Sequence, residues 1–148
     1  MIKLKEGDKI PDFHKIINPE EIKGKKLILY FYPKDNTPGC TNEAKNLKEH
    51  YDELKKKGFE VIGISPDTEE SHRKFSEKLG LPFKLISDTE KEIMNKLGVW
   101  GEKKMYGRTY EGVRRTTFIT DETGTVLKVF PKVKTKEHYE QIMKELEK

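Results

Sequence analysis

The chain has 148 residues, and its net charge is only +4 because 30 lysines and arginines are interleaved with 26 aspartates and glutamates. This interleaving argues against a nucleic-acid-binding stripe, and the absence of an apolar signal segment or of about 18 consecutive apolar residues argues against export and a membrane protein. The single cysteine excludes an intrachain disulfide, and the composition predicts one soluble domain over residues 1–148 in the cytoplasm.

The first two predicted elements bracket the cysteine. Residues 27–32 form an apolar run with two tyrosines and a phenylalanine, which predicts a buried strand. From Cys40 onwards, apolar residues recur at helical spacing up to Lys57, so one helix is predicted to begin near the cysteine and to end before Gly58. At a helix N-terminus, unpaired backbone N–H groups and the helix dipole favour a thiolate over a thiol.

The alternation of apolar runs and amphipathic stretches continues along the chain. It predicts a strand at residues 60–65, a helix that Thr68 caps and that ends near Leu79, a strand at 84–87, and a helix from Asp88 or Thr89 to Leu97. The Gly-rich stretch from 98 to 112 predicts irregular structure.

The last predicted elements are a hairpin and a helix. Strands at 115–120 and 125–130 flank a four-residue loop, and a helix is predicted over residues 135–148. The order of all elements predicts an α/β protein with a central mixed β-sheet flanked by helices. It is the element order of a thioredoxin-like fold that carries an insertion.

The residues around the cysteine form a specific motif. The pattern Pro33-x-x-x-Thr37-x-x-Cys40 resembles the active-site signature of peroxiredoxins, and the run Thr-Pro-Gly-Cys-Thr at 37–41 is similar to the bacterioferritin-comigratory, or PrxQ, subfamily. The segments at 99–103, 107–110 and 112–119 agree with that subfamily in order and spacing. The resemblance therefore extends over nearly the whole chain.

The resemblance implies a thiol-dependent peroxidase that reduces hydrogen peroxide and organic hydroperoxides. Cys40 would be the peroxidatic nucleophile, Thr37 its hydroxyl partner and Pro33 the shield over the thiol. Arg115 would hold its guanidinium beside the sulfur, and Glu43 would orient that arginine. No cofactor and no metal is implied.

Two neighbouring arginines are candidates for the guanidinium. The family pattern has its arginine three residues before the phenylalanine of the strand, here Phe118, and Arg115 matches that position. Alternation along the strand would put Arg114 on the opposite face. Arg114 stays the alternative if the register of the strand is shifted by one residue.

The same residues suit peroxide reduction on chemical grounds. Attack of sulfur on an O–O bond needs a thiolate, an accessible site and donors at the leaving oxygen, where negative charge grows. Thr37, Arg115 and the backbone N–H of Cys40 are predicted to hold the two peroxide oxygens in line. Cys40 would leave this step as a sulfenic acid.

The chain departs from the subfamily at one position. Many PrxQ proteins carry a resolving cysteine five residues after the peroxidatic one, and here that residue is Lys45. We therefore predict a 1-Cys mechanism, in which an external thiol reduces the sulfenic acid. That thiol could belong to thioredoxin, glutaredoxin, a small molecule or Cys40 of another subunit, and the resemblance implies a monomer or a weak homodimer.

Two other functions remain open on the sequence alone. The first is a redox sensor or regulatory binding protein on the same fold, in which Cys40 is oxidised with negligible turnover. The second is a non-enzymatic interaction domain or holdase that keeps only the scaffold. The combination of Pro33, Thr37, Cys40 and Arg115 favours the enzyme, because a scaffold needs none of them together.

Histidines and aromatic residues outside the motif are assigned packing or surface roles. The four histidines lack metal-ligand spacing, so no metal site is predicted; they are His14, His50, His72 and His138. The aromatic residues of the Gly-rich stretch are predicted to pack an irregular loop near the active site; they are Trp100, Tyr106 and Tyr110.

Overall fold

The computed structural model describes residues 4–146. Its strands are β1 (Lys26–Phe31), β2 (Phe59–Ser65), β3 (Lys84–Ser87), β4 (Trp100–Met105), β5 (Arg108–Val113), β6 (Thr116–Thr120) and β7 (Val126–Phe130). Its α-helices are α1 (Phe13–Ile16), α2 (Pro38–Glu49), α3 (Tyr51–Lys56), α4 (Glu69–Leu79), α5 (Glu92–Leu97) and α6 (His138–Leu146), and a 3-10 turn covers Pro19–Glu21. The predicted strands and helices are present with ends that differ by a few residues, and the structure adds α1, the 3-10 turn, β4 and β5 and divides the first predicted helix into α2 and α3.

Five strands form a mixed sheet in the order β3-β2-β1-β6-β7. β1 pairs in parallel with β2, and β2 with β3, whereas β6 pairs antiparallel with both β1 and β7. The helices α2 and α3 form the crossover between the first two parallel strands, as such connections require. The loops that follow β1 and β2 therefore leave the sheet at the same edge.

The central strand β1 supplies side chains to two separate cores. Residues 27, 29 and 31 pack with α1 and α5 on one face of the sheet. Residues 28 and 30, together with Tyr32, pack with α2, α3 and α6 on the other face. This alternation is the period of two expected for a strand buried on both faces. Cys40 lies in the second core.

The single helix predicted from Cys40 to Lys57 is wrong, because the chain leaves helical geometry at His50. This residue has φ −106° and ψ 10° and separates α2 from α3. Its ring stacks on Tyr139 of α6, with ring centroids 4.0 Å apart, and its Nδ1 lies 2.9 Å from the carbonyl oxygen of Asn46. Both helices bury the same face, so the apolar spacing continues across the break.

The Gly-rich stretch is not irregular, because β4 and β5 form an antiparallel hairpin. Tyr106 and Gly107 make its two-residue turn with φ of 54° and 76°, and positive φ at both positions matches the twist of a hairpin. Tyr106 is 97% exposed and Tyr110 is 40% exposed. The predicted packing role of these tyrosines is therefore wrong, whereas Trp100 is half-buried against the first core.

The helix starts follow the predicted capping chemistry in part. The Thr68 side chain accepts the N–H of Ser71 and caps α4. The helix predicted from Asp88 or Thr89 begins at Glu92, with Lys91 as its N-cap residue. The Asp88 carboxylate accepts the N–H groups of Ile93 and Met94 from before this start. The predicted final helix begins at His138 rather than at residue 135, and its last two residues lie outside the described part of the chain. None of the helices within residues 4–146 is long and apolar enough to cross a membrane.

Candidate active site

Cys40 is the third residue of α2, and the local sequence explains this position. Thr37 is the N-cap residue with extended backbone geometry, and Pro38 occupies the first helical position, where its missing N–H costs nothing. The N–H groups of Gly39 and Cys40 belong to the first turn, which has no carbonyl partners within the helix. These two donors and the helix dipole are therefore directed at the region of the sulfur.

The Cys40 sulfur contacts an ion pair between the partly buried Arg115 and the buried Glu43. Arg115 Nη2 donates to Cys40 Sγ at 3.3 Å, and Arg115 Nη1 donates to Glu43 Oε1 at 2.8 Å. Cys40 is 1% exposed and Glu43 is fully buried, so the accessible thiol expected for attack on peroxide is not present in this structure. A single guanidinium thus joins the sulfur to the carboxylate that lies one helical turn further along α2.

The strand register explains why Arg115 and not Arg114 faces the sulfur. In β6, Ile119 packs in the core that contains Cys40, whereas Phe118 packs in the opposite core. Arg115 continues the alternation on the side of Ile119. The guanidinium of Arg114 points elsewhere and donates from Nη2 to the carbonyl of Glu102 at 3.1 Å.

The Glu43 carboxyl is held in an environment that opposes its charge. Burial raises its pKa to about 7, although the charge and hydrogen bond of Arg115 act in the opposite direction. Its second oxygen, Oε2, has no hydrogen-bond partner among the described residues and lies 3.8 Å from Nε2 of the buried His138. Burial also lowers the pKa of His138 to about 4.

Thr37 and Pro33 lie in the segment that leads into α2. The Thr37 hydroxyl donates to the carbonyl of Lys34 at 2.8 Å, so its proton is not directed at the Cys40 sulfur in this structure. Pro33 is half-buried in the same segment. The structure thus brings Cys40, Arg115 and Glu43 into contact, with the other two predicted residues in the preceding loop.

A buried carboxylate anchors this segment to the rest of the fold. Asp35 Oδ1 accepts the hydroxyl of Tyr32 at 2.6 Å, and Oδ2 accepts the hydroxyl of Ser71 at 2.9 Å. Oδ2 also lies 2.7 Å from His72 Nδ1, and the backbone N–H of Asp35 donates to Asp67 at 2.7 Å. The segment before Cys40 is therefore tied to α4 and to the loop after β2.

The His72 ring must donate from both nitrogens in this network. Nδ1 faces the carboxylate of Asp35, and Nε2 lies 3.0 Å from the carbonyl oxygen of Ile86; neither group carries a hydrogen. Burial lowers the pKa of His72, but the hydrogen bond and charge of Asp35 outweigh it and raise the pKa overall. Burial likewise raises the pKa of Asp35, and the hydrogen bonds from His72 and Tyr32 outweigh it and lower that pKa. His72 and Asp35 form a buried ion pair.

Asp35, Asp67 and His72 bring three metal-ligating atoms within 4.8 Å of one another. Their hydrogen bonds to one another and to Tyr32, Ser65 and Ser71 already engage these atoms. The arrangement acts as a hydrogen-bonded anchor. Sequence reasoning missed this anchor and His138, because their partners come from distant elements and no local spacing marks them.

We expect Asp35→Asn to lower the free energy of unfolding by about 3 kcal/mol, because it leaves the His72 cation buried without its partner. The stabilising effect of Asp35 is lost as pH falls below its ordinary pKa of 3.8, and that of His72 is lost as pH rises above its ordinary value of 6.5. Urea unfolding should therefore show the largest difference near pH 5.5. The exposed Asp52→Asn is the control, and an equal effect for both variants would contradict the anchor.

We expect Gly39→Ala to slow the reaction of Cys40 with peroxide severalfold without lowering stability. A methyl group at Gly39 would lie 3.2 Å from Arg115 Nη2, so the guanidinium must move by a few tenths of an ångström. Small displacements of reacting groups slow a reaction. Stability should not fall, because alanine has a higher helix propensity than glycine. Stopped-flow kinetics and thermal melts measure the two effects, with Lys45→Ala on the same helix as control. An unchanged rate would show that the position of Arg115 is not critical.

Comparisons with known proteins agree with this site. The model of the AhpC/TSA family matches residues 3–129. A putative peroxiredoxin Bcp of Haemophilus influenzae is 42% identical over 146 residues, which cover 95% of this chain and 94% of that protein.

Solved structures extend the comparison. A cysteine-to-serine mutant of Xylella fastidiosa PrxQ superposes with a TM-score of 0.85 at 29% identity, over 97% of this chain and 96% of that one. The bacterioferritin comigratory protein of Xanthomonas campestris gives a TM-score of 0.78 at 35% identity, over 86% of this chain and 80% of that one. These likenesses confirm the predicted thioredoxin-like fold.

The family match covers most of the chain, and the relatives are named Bcp or PrxQ peroxiredoxins. Peroxiredoxins reduce peroxides at the expense of a thiol, and the only cysteine of this chain contacts an arginine at a helix N-terminus. The chain therefore belongs to the AhpC/TSA family as a Bcp/PrxQ peroxiredoxin, a thiol-dependent peroxidase.

Proposed function

We propose that Cys40 is the peroxidatic residue through which this enzyme reduces hydrogen peroxide and organic hydroperoxides. The observation that carries the proposal is the 3.3 Å contact between Cys40 Sγ and Arg115 Nη2 at the first turn of α2. Organic substrates are supported by the Xanthomonas campestris relative, whose structures concern its alkyl peroxide reduction activity.

In the proposed reaction, the Cys40 thiolate attacks one peroxide oxygen, an S–O bond forms and the O–O bond breaks. The sulfur is oxidised by two electrons to a sulfenic acid. The other oxygen leaves as hydroxide or alkoxide and takes up a proton to become water or an alcohol. Arg115 and the N–H groups of the first helical turn stabilise the thiolate and the negative charge on the departing oxygen.

The remaining site residues act through position. Glu43 holds Nη1 of Arg115, which leaves Nη2 free to face the sulfur. The Thr37 hydroxyl would accept or donate a hydrogen bond to the peroxide after rotating away from Lys34. Pro33 is half-buried in the same segment. Its proposed role is to limit the access of water to the Cys40 thiol.

An external thiol completes the proposed 1-Cys cycle, which the single cysteine fits. Lys45 is exposed on α2, at the position where many PrxQ proteins carry a resolving cysteine. The reductant is proposed to be thioredoxin, glutaredoxin or a small-molecule thiol. Action in the cytoplasm, a monomeric or weakly dimeric state and one domain over residues 1–148 stay predictions.

Intact-protein mass spectrometry tests the proposed cycle. One equivalent of peroxide should add one oxygen to the protein, in a form that a sulfenic-acid trap captures at Cys40. Thioredoxin, glutaredoxin and a small thiol, added separately, should differ in how fast they restore the reduced mass. Peroxide that disappears without any mass change at Cys40 would refute the assignment, and a Cys40-linked dimer as the main product would identify the second subunit as the reducing thiol.

A further inference from the structure

A histidine from α6 approaches the buried side of the catalytic ion pair. His138 Nε2 lies 3.8 Å from Glu43 Oε2 and 2.8 Å from the hydroxyl oxygen of Thr117. The side chains of Glu43 and His138 are both fully buried. Glu43 Oε2 has no hydrogen-bond partner among the described residues, and an isolated buried carboxylate oxygen is costly.

The other nitrogen of His138 has a defined protonation state. Gln141 Nε2 donates to the carbonyl of Lys132 at 2.7 Å, and Gln141 Oε1 accepts the N–H of Lys134 at 3.0 Å. These two bonds fix the orientation of the amide, so the atom that lies 3.1 Å from His138 Nδ1 is an oxygen. An amide oxygen carries no hydrogen, and Nδ1 must therefore carry one and donate.

Nε2 then carries no hydrogen in the neutral ring. Its lone pair accepts the hydroxyl proton of Thr117, and Glu43 Oε2 lies 3.8 Å from Nε2, beyond hydrogen-bond distance. If the Glu43 carboxyl were ionised, two groups without hydrogens would face each other in the core. A proton removes this conflict if it lies on Glu43 Oε2, which can donate to Nε2 when it replaces the Thr117 hydroxyl there, or on Nε2 as the cation of an ion pair.

We propose that Glu43 and His138 share one buried proton, and that His138 is a positioning residue that controls how much of the Arg115 charge is available to Cys40. The second half of this inference rests on the proposed role of Cys40. When the proton is present on Glu43, the carboxyl is neutral and the full charge of Arg115 faces the sulfur. When the proton leaves, the Glu43 carboxylate takes a share of that charge.

Burial changes the pKa values of the two groups in opposite directions. Burial raises the pKa of Glu43 to about 7 and lowers that of His138 to about 4, so below about pH 7 the shared proton resides on Glu43. The ionisable groups that interact with Glu43 are Arg115 and Tyr30, and those that interact with His138 are Arg115 and Glu140. The rate at which peroxide oxidises Cys40 should therefore fall as the pH rises through about 7, where Glu43 loses its proton.

The decisive variant is His138→Gln. A glutamine amide can donate to Glu43 Oε2 but cannot take up or return a proton, so it favours the ionised carboxylate. Infrared spectra of the wild type at pH 6 should contain the band of a buried protonated carboxylic acid, assigned by its loss in Glu43→Gln. In His138→Gln this band should titrate at least about one pH unit lower, and the step in the peroxide rate should move with it.

Thr117→Val tests the same proton in the opposite direction. Valine fills the same volume but removes the hydroxyl that occupies the Nε2 lone pair, so the Glu43 proton should persist to higher pH. His50→Gln is the matched control, because His50 also packs against α6 without a contact to Glu43. Thermal melts verify that each variant folds. If His138→Gln does not fold, Thr117→Val alone tests the shared proton.

The outcomes separate this inference from the function on which it rests. A Glu43 band that titrates identically in the wild type, His138→Gln and Thr117→Val would overturn the shared proton. Bands that move while the peroxide rate keeps its pH profile would overturn the positioning role of His138. Moving bands in an enzyme whose Cys40 does not react with peroxide would refute the proposed role of Cys40 and leave the shared proton intact.

Discussion

Replacement of Cys40 by serine is expected to reduce thiol-dependent peroxide consumption by at least about a thousandfold, because a serine hydroxyl is not ionised near neutral pH and cannot become a sulfenic acid. Serine is close to cysteine in volume, and the position is 1% exposed, so the fold should persist with a modest loss of stability. The measurement is peroxide consumption with dithiothreitol or a thioredoxin system at equal protein concentration. Equal rates for the wild type and the variant would end the assignment of Cys40.

The same experiment separates the enzyme from a redox sensor. A sensor would consume about one equivalent of peroxide per Cys40 and then stop, even with excess thiol, whereas the peroxidase should complete many turnovers. A burst without turnover, with each thiol tested in excess, would favour the redox sensor over the peroxidase. Lys45→Ala is the control, since this residue is exposed on the same helix.

Removal of the guanidinium should have the second largest effect. We expect Arg115→Ala to slow sulfenic acid formation about a hundredfold, which corresponds to about 2.7 kcal/mol of transition-state stabilisation. The variant loses the donor that lies 3.3 Å from Cys40 Sγ and also leaves Glu43 without its partner. Loss of the positive charge should raise the pKa of Glu43 further, because in the wild type Arg115 opposes the effect of burial. Stopped-flow kinetics across pH 5–8 measure both consequences.

Two further variants make this test specific. Arg115→Lys keeps the charge but cannot bridge two partners with a rigid fork, so part of the loss should remain. Arg114→Ala should leave the rate unchanged, because that guanidinium contacts the carbonyl of Glu102 rather than the sulfur. A large loss in Arg114→Ala with little loss in Arg115→Ala would mean that the contact with Cys40 in this structure is not the functional one.

Much of the fold could be predicted because its signals are local. The strand at β1 is a continuous apolar run, as expected for a strand that serves two cores. The cap at Thr68 uses a side chain that bonds the backbone of the adjoining helix. Signals of this kind lie in consecutive residues, so they can be identified without knowing which distant residues are in contact.

Features that depend on distant partners could not be predicted. The break at His50 depends on a ring that stacks with Tyr139, far along the chain. The turn at Tyr106 requires positive φ from a residue type that rarely adopts it, so the hairpin of β4 and β5 left no clear turn signal.

The candidate site divides in the same way. The motif around Cys40 and the alternation that favours Arg115 are local. The Asp35–His72 anchor and the approach of His138 to Glu43 join residues 37 and 95 positions apart in the chain, and polar contacts between distant elements have no periodic signature.

The hairpin of β4 and β5 makes its own two-stranded sheet in the described part of the chain. Its base is closed by the N–H of Arg114, which donates to the carbonyl of Val99 at 2.6 Å, and Arg115 follows directly. The exposed turn at Tyr106–Gly107 can therefore change in length while the base keeps Arg115 at the sulfur. This turn is a suitable insertion point for an affinity tag or a fluorescent reporter in an enzyme whose single thiol is proposed to react with peroxide.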